Sequence, residues 1–320
     1  MSKYKLPKVE QLLEAGVHFG HQVRRWNPKM EPYIYSSRNN THIIDLEQTE
    51  KGLKEAADFL YEVAKKGGQI ILVGTKKQAR EIITLEAKRA GALYVAERWL
   101  GGTLTNYKVI RKNADKLLSF LRRRDNGDLA SYTKKERLLI DREIEKLEKY
   151  YGGIVTLRGM PQAVFVVDIK REKTAVSESL TAGVPIVGLV DTNSDPTGIG
   201  HVIPGNDDAI KSIAFIVKVI ADAIEAGYKD FAENKASEAA QASAAKETSE
   251  TVTSEVTQNV TYAQATRSVK SKDLVSPEVV SSDKTDSSSK ASEVSKPEVS
   301  SKSEGKSEKP VKKVSKSKKS

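Results

Sequence analysis

The chain has 320 residues, 53 Lys+Arg against 43 Asp+Glu, a formal net charge of +10 and no cysteine. Without cysteine there is no disulfide framework, no thiolate zinc site and no thiol nucleophile, and a cytoplasmic protein is the simplest reading. The basic excess favours a polyanionic partner, while the mixed charge of the N-terminus and the lack of any run near about 20 apolar residues give no secretory signal and no membrane partner.

In chain order, His42-Ile43-Ile44 reads as a short strand before a helix from about Glu47 to Lys66. Ile70-Ile71-Leu72-Val73 is an apolar run closed by Gly74, followed by an amphipathic helix from about Lys76 to Ala90 and a short strand, Leu93 to Ala96. Residues 105–150 interrupt the alternation. Ile110, Ala114, Leu117 and Leu121 repeat at i, i+4, i+7 and i+11, as do Ile140, Ile144, Leu147 and Tyr151, with the turn signal Asp125-Asn126-Gly127-Asp128 between. That pattern predicts an αα-hairpin projecting as a short antiparallel coiled coil. Ala163 to Asp168 and Pro185 to Asp191 are apolar runs of the kind buried on both faces, with a helix ending near Ala182 between them and a last helix from about Asp207 to Ala226. Repeated βα units imply a mainly parallel sheet with helices on both faces. From Glu233 to Ser320 the composition turns to Ser, Thr, Lys, Glu, Ala and Val without Trp or Phe, which predicts a disordered tail. Its last twelve residues carry six lysines and no acid; they read as a solvated end or as a nonspecific arm for RNA.

Two segments concentrate unusual chemistry and hold both tryptophans. One is Ala15 to His21 followed by Arg24-Arg25-Trp26-Asn27-Pro28-Lys29-Met30; the other is Arg98-Trp99-Leu100-Gly101-Gly102-Thr103-Leu104-Thr105-Asn106. Aromatics interleaved with cations and amides in glycine-rich loops suit RNA, whose bases stack and whose phosphates take the charge. His18, His21, Arg24, Arg25, Trp26, Asn27, Lys29, Arg98, Trp99, Gly101, Gly102 and Asn106 are the candidates, joined by Lys108, Arg111 and Lys112 on the first hairpin helix. Core anchoring is the competing account for the tryptophans, and structural hydrogen bonding for the histidines. Lys76 and Lys77 stand where a helix start meets a strand end and could hold a phosphate, of an RNA backbone or of a metabolite. The enzyme alternative, a nucleotide- or phosphometabolite-binding α/β protein, lacks both GxxxxGK[ST] and GxGxxG. No cofactor is implied beyond a divalent cation at His18, Asp191 and Asp207 or Asp208, if the first loop folds over the strand ends. Asn206 to Asp208 otherwise read as the cap of the last helix.

Nine blocks resemble the bacterial small-subunit ribosomal protein S2 family: Ala15–His21, Trp26–Met30, His42–Leu46, Val73–Lys76, Arg98–Gly102, Leu104–Asn106, Gly152–Ile154, Val190–Pro196 and Ile203–Ala209. The family pattern often carries Tyr where this chain has Arg25. The resemblance, over about residues 5–228, implies a flavodoxin-like or Rossmann-like core over 1–104 and 152–232 and a coiled-coil hairpin over 105–151; the tail over 233–320 lies outside it. It also implies a structural, non-enzymatic protein of the cytoplasmic ribosome. Its partners would be small-subunit rRNA and neighbouring small-subunit proteins, the large mRNA-binding protein among them, with no small-molecule substrate.

Overall fold

The computed structural model describes residues 4–237. Helix α1 (Val9–Glu14) leads into a small antiparallel sheet of β1 (Phe19–Gln22), β2 (Ile34–Arg38) and β3 (Thr41–Ile44), in the order β1-β3-β2. Asn39 and Asn40 join β2 to β3 at φ 52° and 60°, a tight turn in which asparagine tolerates the left-handed region. Helix α2 (Leu46–Lys65) follows, capped by Asp45, whose carboxylate accepts from the Glu47 N–H at 3.0 Å.

The main sheet has five parallel strands, β4 (Ile70–Val73), β5 (Leu93–Val95), β6 (Ala163–Val167), β7 (Ile186–Val190) and β8 (His201–Pro204), in the order β5-β4-β6-β7-β8. Helix α3 (Lys77–Ala90) links β4 to β5, α6 (Lys173–Ala182) links β6 to β7, and a final helix, α7, occupies 210–237. Every residue of β4, β6 and β7 is buried, which is why these strands read as continuous apolar runs. Alternate side chains serve two cores. Ile70, Leu72, Phe165 and Val167 pack with Leu53 and Leu60 of α2, Ile83 of α3 and Ile216 and Ile220 of α7. Ile71, Val73, Val164 and Val166 pack on the other face with Trp99, Leu104, Ile110 and Ala175 of α6.

Helices α4 (Tyr107–Asp125) and α5 (Lys134–Tyr151) stand between β5 and β6. They touch through a Lys116–Glu143 ion pair and an Asn113 Nδ2 to Tyr151 Oη hydrogen bond of 2.9 Å. Ile110, Ala114, Leu117 and Ile144 are buried, as the spacing requires. The turn between them holds a short 3₁₀ segment, Asp128–Ser131, and α5 begins in a Thr133/Glu136 capping box.

Three expectations change. The His42 strand lies in the small antiparallel sheet, not in the parallel one. Strand β8 is additional; four residues that include His201 and Pro204 carry no strand signal on their own. Helix α7 starts later than Asp207 and carries through 237, because its buried face continues past Ala226. The tail expected from Glu233 therefore starts within that helix, and residues 238–320 lie outside the described residues, the expected disorder with them.

Candidate nucleic-acid interface

Both loop clusters stand at the carboxyl end of the parallel strands. The first is pinned beyond β7. The N–H of His21 donates to Thr192 Oγ1 at 2.9 Å, the N–H of Asn27 donates to the Thr192 carbonyl at 2.7 Å, and the N–H of Asn206 donates to the Val17 carbonyl at 3.0 Å. Gly20 allows this approach, since a Cβ there would lie 2.7 Å from Thr192 Cγ2. Arg24 and Arg25 end a 3₁₀ turn and are exposed, with no ion pair among the described residues. Asn27 caps the next 3₁₀ turn through Lys29 N–H at 3.0 Å, and Lys29 Nζ is held by Asp195 at 2.9 Å and Thr197 at 2.8 Å. Trp26 is half-buried against His42, ring centroids 5.3 Å apart. His42 is itself buried, and neither ring nitrogen finds a hydrogen bond within the protein, an arrangement that costs about 1–3 kcal/mol per idle group.

The second cluster is organised by a residue that sequence reasoning missed. Glu178, buried on α6, accepts from Trp99 Nε1 at 3.1 Å, from the Gly102 N–H at 2.8 Å and from the Leu104 N–H at 3.0 Å. Trp99 is thereby a core anchor, 5% exposed, rather than a face offered to a partner. Gly102 needs its φ of +89°, whereas a side chain at Gly101 would meet only open space. Pinning the loop leaves Arg98 and Asn106 exposed beside Lys108 and Lys112, while Arg111 turns inward to the Leu157 carbonyl at 3.0 Å and pairs with Asp115 at 3.0 Å. Lys77 is exposed at the start of α3.

Between the clusters lies a charge-dense junction. Lys76 Nζ, nearly enclosed, reaches Asp168 at 3.3 Å, Asp207 at 2.7 Å and Asp208 at 2.6 Å. Burial alone would push its pKa down, but the three carboxylates, Asp207 foremost, raise it. His21 Nδ1 faces Asp191 at 3.0 Å and Nε2 faces Asp208 at 3.2 Å; the hydrogen bond to Asp191 raises the imidazole pKa against the effect of burial. Burial, with Asp191 and Asp168 near, pushes Asp207 up to about 7. Asp168 closes β6 at φ +64°, held by Lys76 and by the Arg171 N–H at 3.0 Å, a conformation a non-glycine residue holds only when its partners dictate it.

The histidine that joins Asp191 and Asp207 is His21, whose donor atoms lie with theirs within 4.8 Å; the candidate set drawn with His18 does not form. His18 packs on Phe19 at 3.9 Å and burial lowers its pKa. The carboxylates already hold side chains of the chain itself, Lys76 and His21. A ligand of such a sheet would sit where the strand order reverses, between β4 and β6. Here that crevice is filled by Thr75, whose hydroxyl and N–H both donate to buried Glu172 and whose Oγ1 also accepts from Arg171 Nε at 3.0 Å, and by the Lys76–Asp168 pair. Lys76 is thus a bolt between strand ends, and the small-molecule alternative loses its site.

Residues 12–227 match the family model described as Ribosomal protein S2. The chain is 46% identical over 249 residues to the small ribosomal subunit protein uS2 of Maridesulfovibrio salexigens, a match spanning 78% of this chain and 96% of that relative.

Proposed function

The chain belongs to the bacterial ribosomal protein S2 family, and from that premise we propose that its two loop clusters hold small-subunit rRNA. Its role in the small ribosomal subunit is structural and not enzymatic, and its place is that particle in the cytoplasm. In this reading, residues 1–104 and 152–232 are a rigid body that presents the loops. Arg24, Arg25, Lys77, Arg98, Lys108 and Lys112 supply phosphate contacts, since each is exposed and free of acidic partners among the described residues. Trp26 offers part of an indole face, while Trp99, Lys76, Lys29 and Arg111 act indirectly, by fixing the loops. Residues 105–151 form a coiled-coil hairpin whose charged outer side meets neighbouring small-subunit proteins, the large mRNA-binding protein included.

The observation that carries this reading is the set of arginines without an acidic partner among the described residues, Arg24, Arg25 and Arg98, held at the carboxyl end of the parallel sheet by buried anchors. Sedimentation of the tagged full-length protein through sucrose gradients with magnesium, over a series of salt concentrations and with rRNA probed in each fraction, tests it. The wild type travels with small subunits. A variant with all three arginines changed to Ala binds more weakly, and its salt dependence loses about 0.7–0.9 in log–log slope for each phosphate contact removed. Unchanged slope and unchanged association in that variant refute the assignment.

A further inference from the structure

Beside Trp26 lies a cleft of about 300 Å³ lined by Trp26, Glu31, Ile34, Ser36, Ser37 and His42. We propose that it receives a single unstacked guanine of the bound RNA; the proposal rests on the RNA reading above and assigns that RNA a base-specific pocket. The volume is at the lower end of the range of ligand clefts, about 300–1,000 Å³, which suits one planar ring system and excludes a duplex. One wall is aromatic. The Trp26 indole is half-buried and tilts 39° from the His42 ring, leaving a π surface on which a base can stack.

The second wall is polar and unsatisfied. His42 is 7% exposed, and neither Nδ1 nor Nε2 hydrogen-bonds within the protein. A neutral imidazole brings one donor and one acceptor, and both nitrogens lie closed off from solvent behind the wall of this cleft. Ser36 and Ser37 add exposed hydroxyls, and Glu31 an exposed carboxylate. Guanine alone among the four bases presents two adjacent N–H donors on its Watson–Crick edge, which a carboxylate accepts as a pair; the other three present an acceptor beside their donor. Arg24 and Arg25 directly precede Trp26, and Arg38 ends β2 next to the serines. All three are exposed, so a base in the cleft brings its flanking phosphates among cations.

Tryptophan fluorescence of the full-length protein tests the pocket. Trp99 is enclosed, so Trp26 reports. The pentaribonucleotides UUGUU, UUAUU, UUCUU and UUUUU are titrated in turn. UUGUU quenches at concentrations about tenfold below the other three, as expected for one bidentate base contact. Glu31→Gln, an exposed change of equal size, removes that preference and keeps the weaker, base-independent quench; Trp26→Phe removes the signal. Equal action of the four oligonucleotides, or a guanine preference that survives Glu31→Gln, overturns the pocket. Gradient sedimentation separates the two levels. A wild type that travels with small subunits yet shows no guanine preference refutes the pocket alone. A wild type that never travels with rRNA refutes the RNA reading and the pocket with it.

Discussion

Changing Glu178 to Ala removes one carboxylate and leaves three donors without an acceptor: Trp99 Nε1, the Gly102 N–H and the Leu104 N–H. Trp99 and Leu104 are 5% and 3% exposed, so water does not replace the lost partner. Hydrogen bonds to a charged group are worth about 1.5–3 kcal/mol each, and buried donors left unpaired cost about 1–3 kcal/mol. The three share one acceptor and do not add, so the expected loss is about 3–5 kcal/mol, a large part of a typical total stability of about 5–15 kcal/mol. Glu178→Gln keeps one oxygen and forfeits one side of the fork, for about 1–2 kcal/mol. Guanidinium unfolding of the full-length protein, followed by circular dichroism, gives both values. Arg98→Ala, on the exposed side of the same loop, shifts the midpoint by less than about 0.5 kcal/mol and acts on rRNA association instead. A Glu178→Ala protein within about 1 kcal/mol of wild type means that the loop is held by something other than the carboxylate.

Gly52→Ala improves helix propensity by about 1 kcal/mol on α2, yet it destabilises the protein by about 1–3 kcal/mol, because the new Cβ meets the Val202 carbonyl of β8; a stabilised variant in thermal unfolding contradicts that close approach. Stability also falls as pH rises. Asp207, pushed up to about 7 by burial and by Asp191, retains a proton in the folded chain that the unfolded chain releases near the ordinary aspartate value of 3.8. The folded state therefore binds more protons across that window and loses its advantage as pH climbs through it. His21, raised by its hydrogen bond to Asp191, acts in the same direction, since its charged-state contribution is lost as pH passes its folded value. Asp207→Asn flattens the decline between about pH 4 and 7; a profile parallel to that of wild type in chemical denaturation refutes this source.

What the sequence revealed follows from how locally each signal is encoded. Strands β4, β6 and β7 are buried on both faces, so their runs are apolar throughout and their limits were read to within a residue. Helices α2 and α3 carry an apolar stripe against the sheet and are equally plain, whereas the sequence marks only the end of α6, near Ala182. Strands β1 and β2, with Gly20 and His21 half-exposed and Ser36 and Ser37 exposed, have no such pattern. Without β1 there was no means to tell that His21, and not His18, turns toward the strand ends. Trp99 misled for a related reason: Arg98, Gly101 and Gly102 gave it the look of a partner-facing residue, while its fate was decided by Glu178, 79 positions away. A lone acid amid the mostly small residues of α6 is the available clue, and it names no partner. Lys76 was visible as a lysine at a helix start, but the three aspartates that claim it arrive from β6 and from the loop before α7.

The contact between Gly52 and the backbone of β8 has one more consequence, for the birth of the chain. Helix α2 is complete by residue 65, yet one side of it waits for Val202, and its far end waits for Gly227, whose bare Cα lies against the Tyr61 carbonyl, and for Asp230, which takes the Tyr61 hydroxyl. More than half of the polypeptide must therefore be translated before the first long helix can bury the whole of its apolar stripe. Such closure between distant parts of a sequence is slow relative to local helix formation and leaves apolar surface open meanwhile. A nascent chain stalled before about residue 200 can set α2 against β4 and β6 but lacks β8 and α7, which makes the interval between residues 65 and 230 the period in which a holding chaperone is of most use.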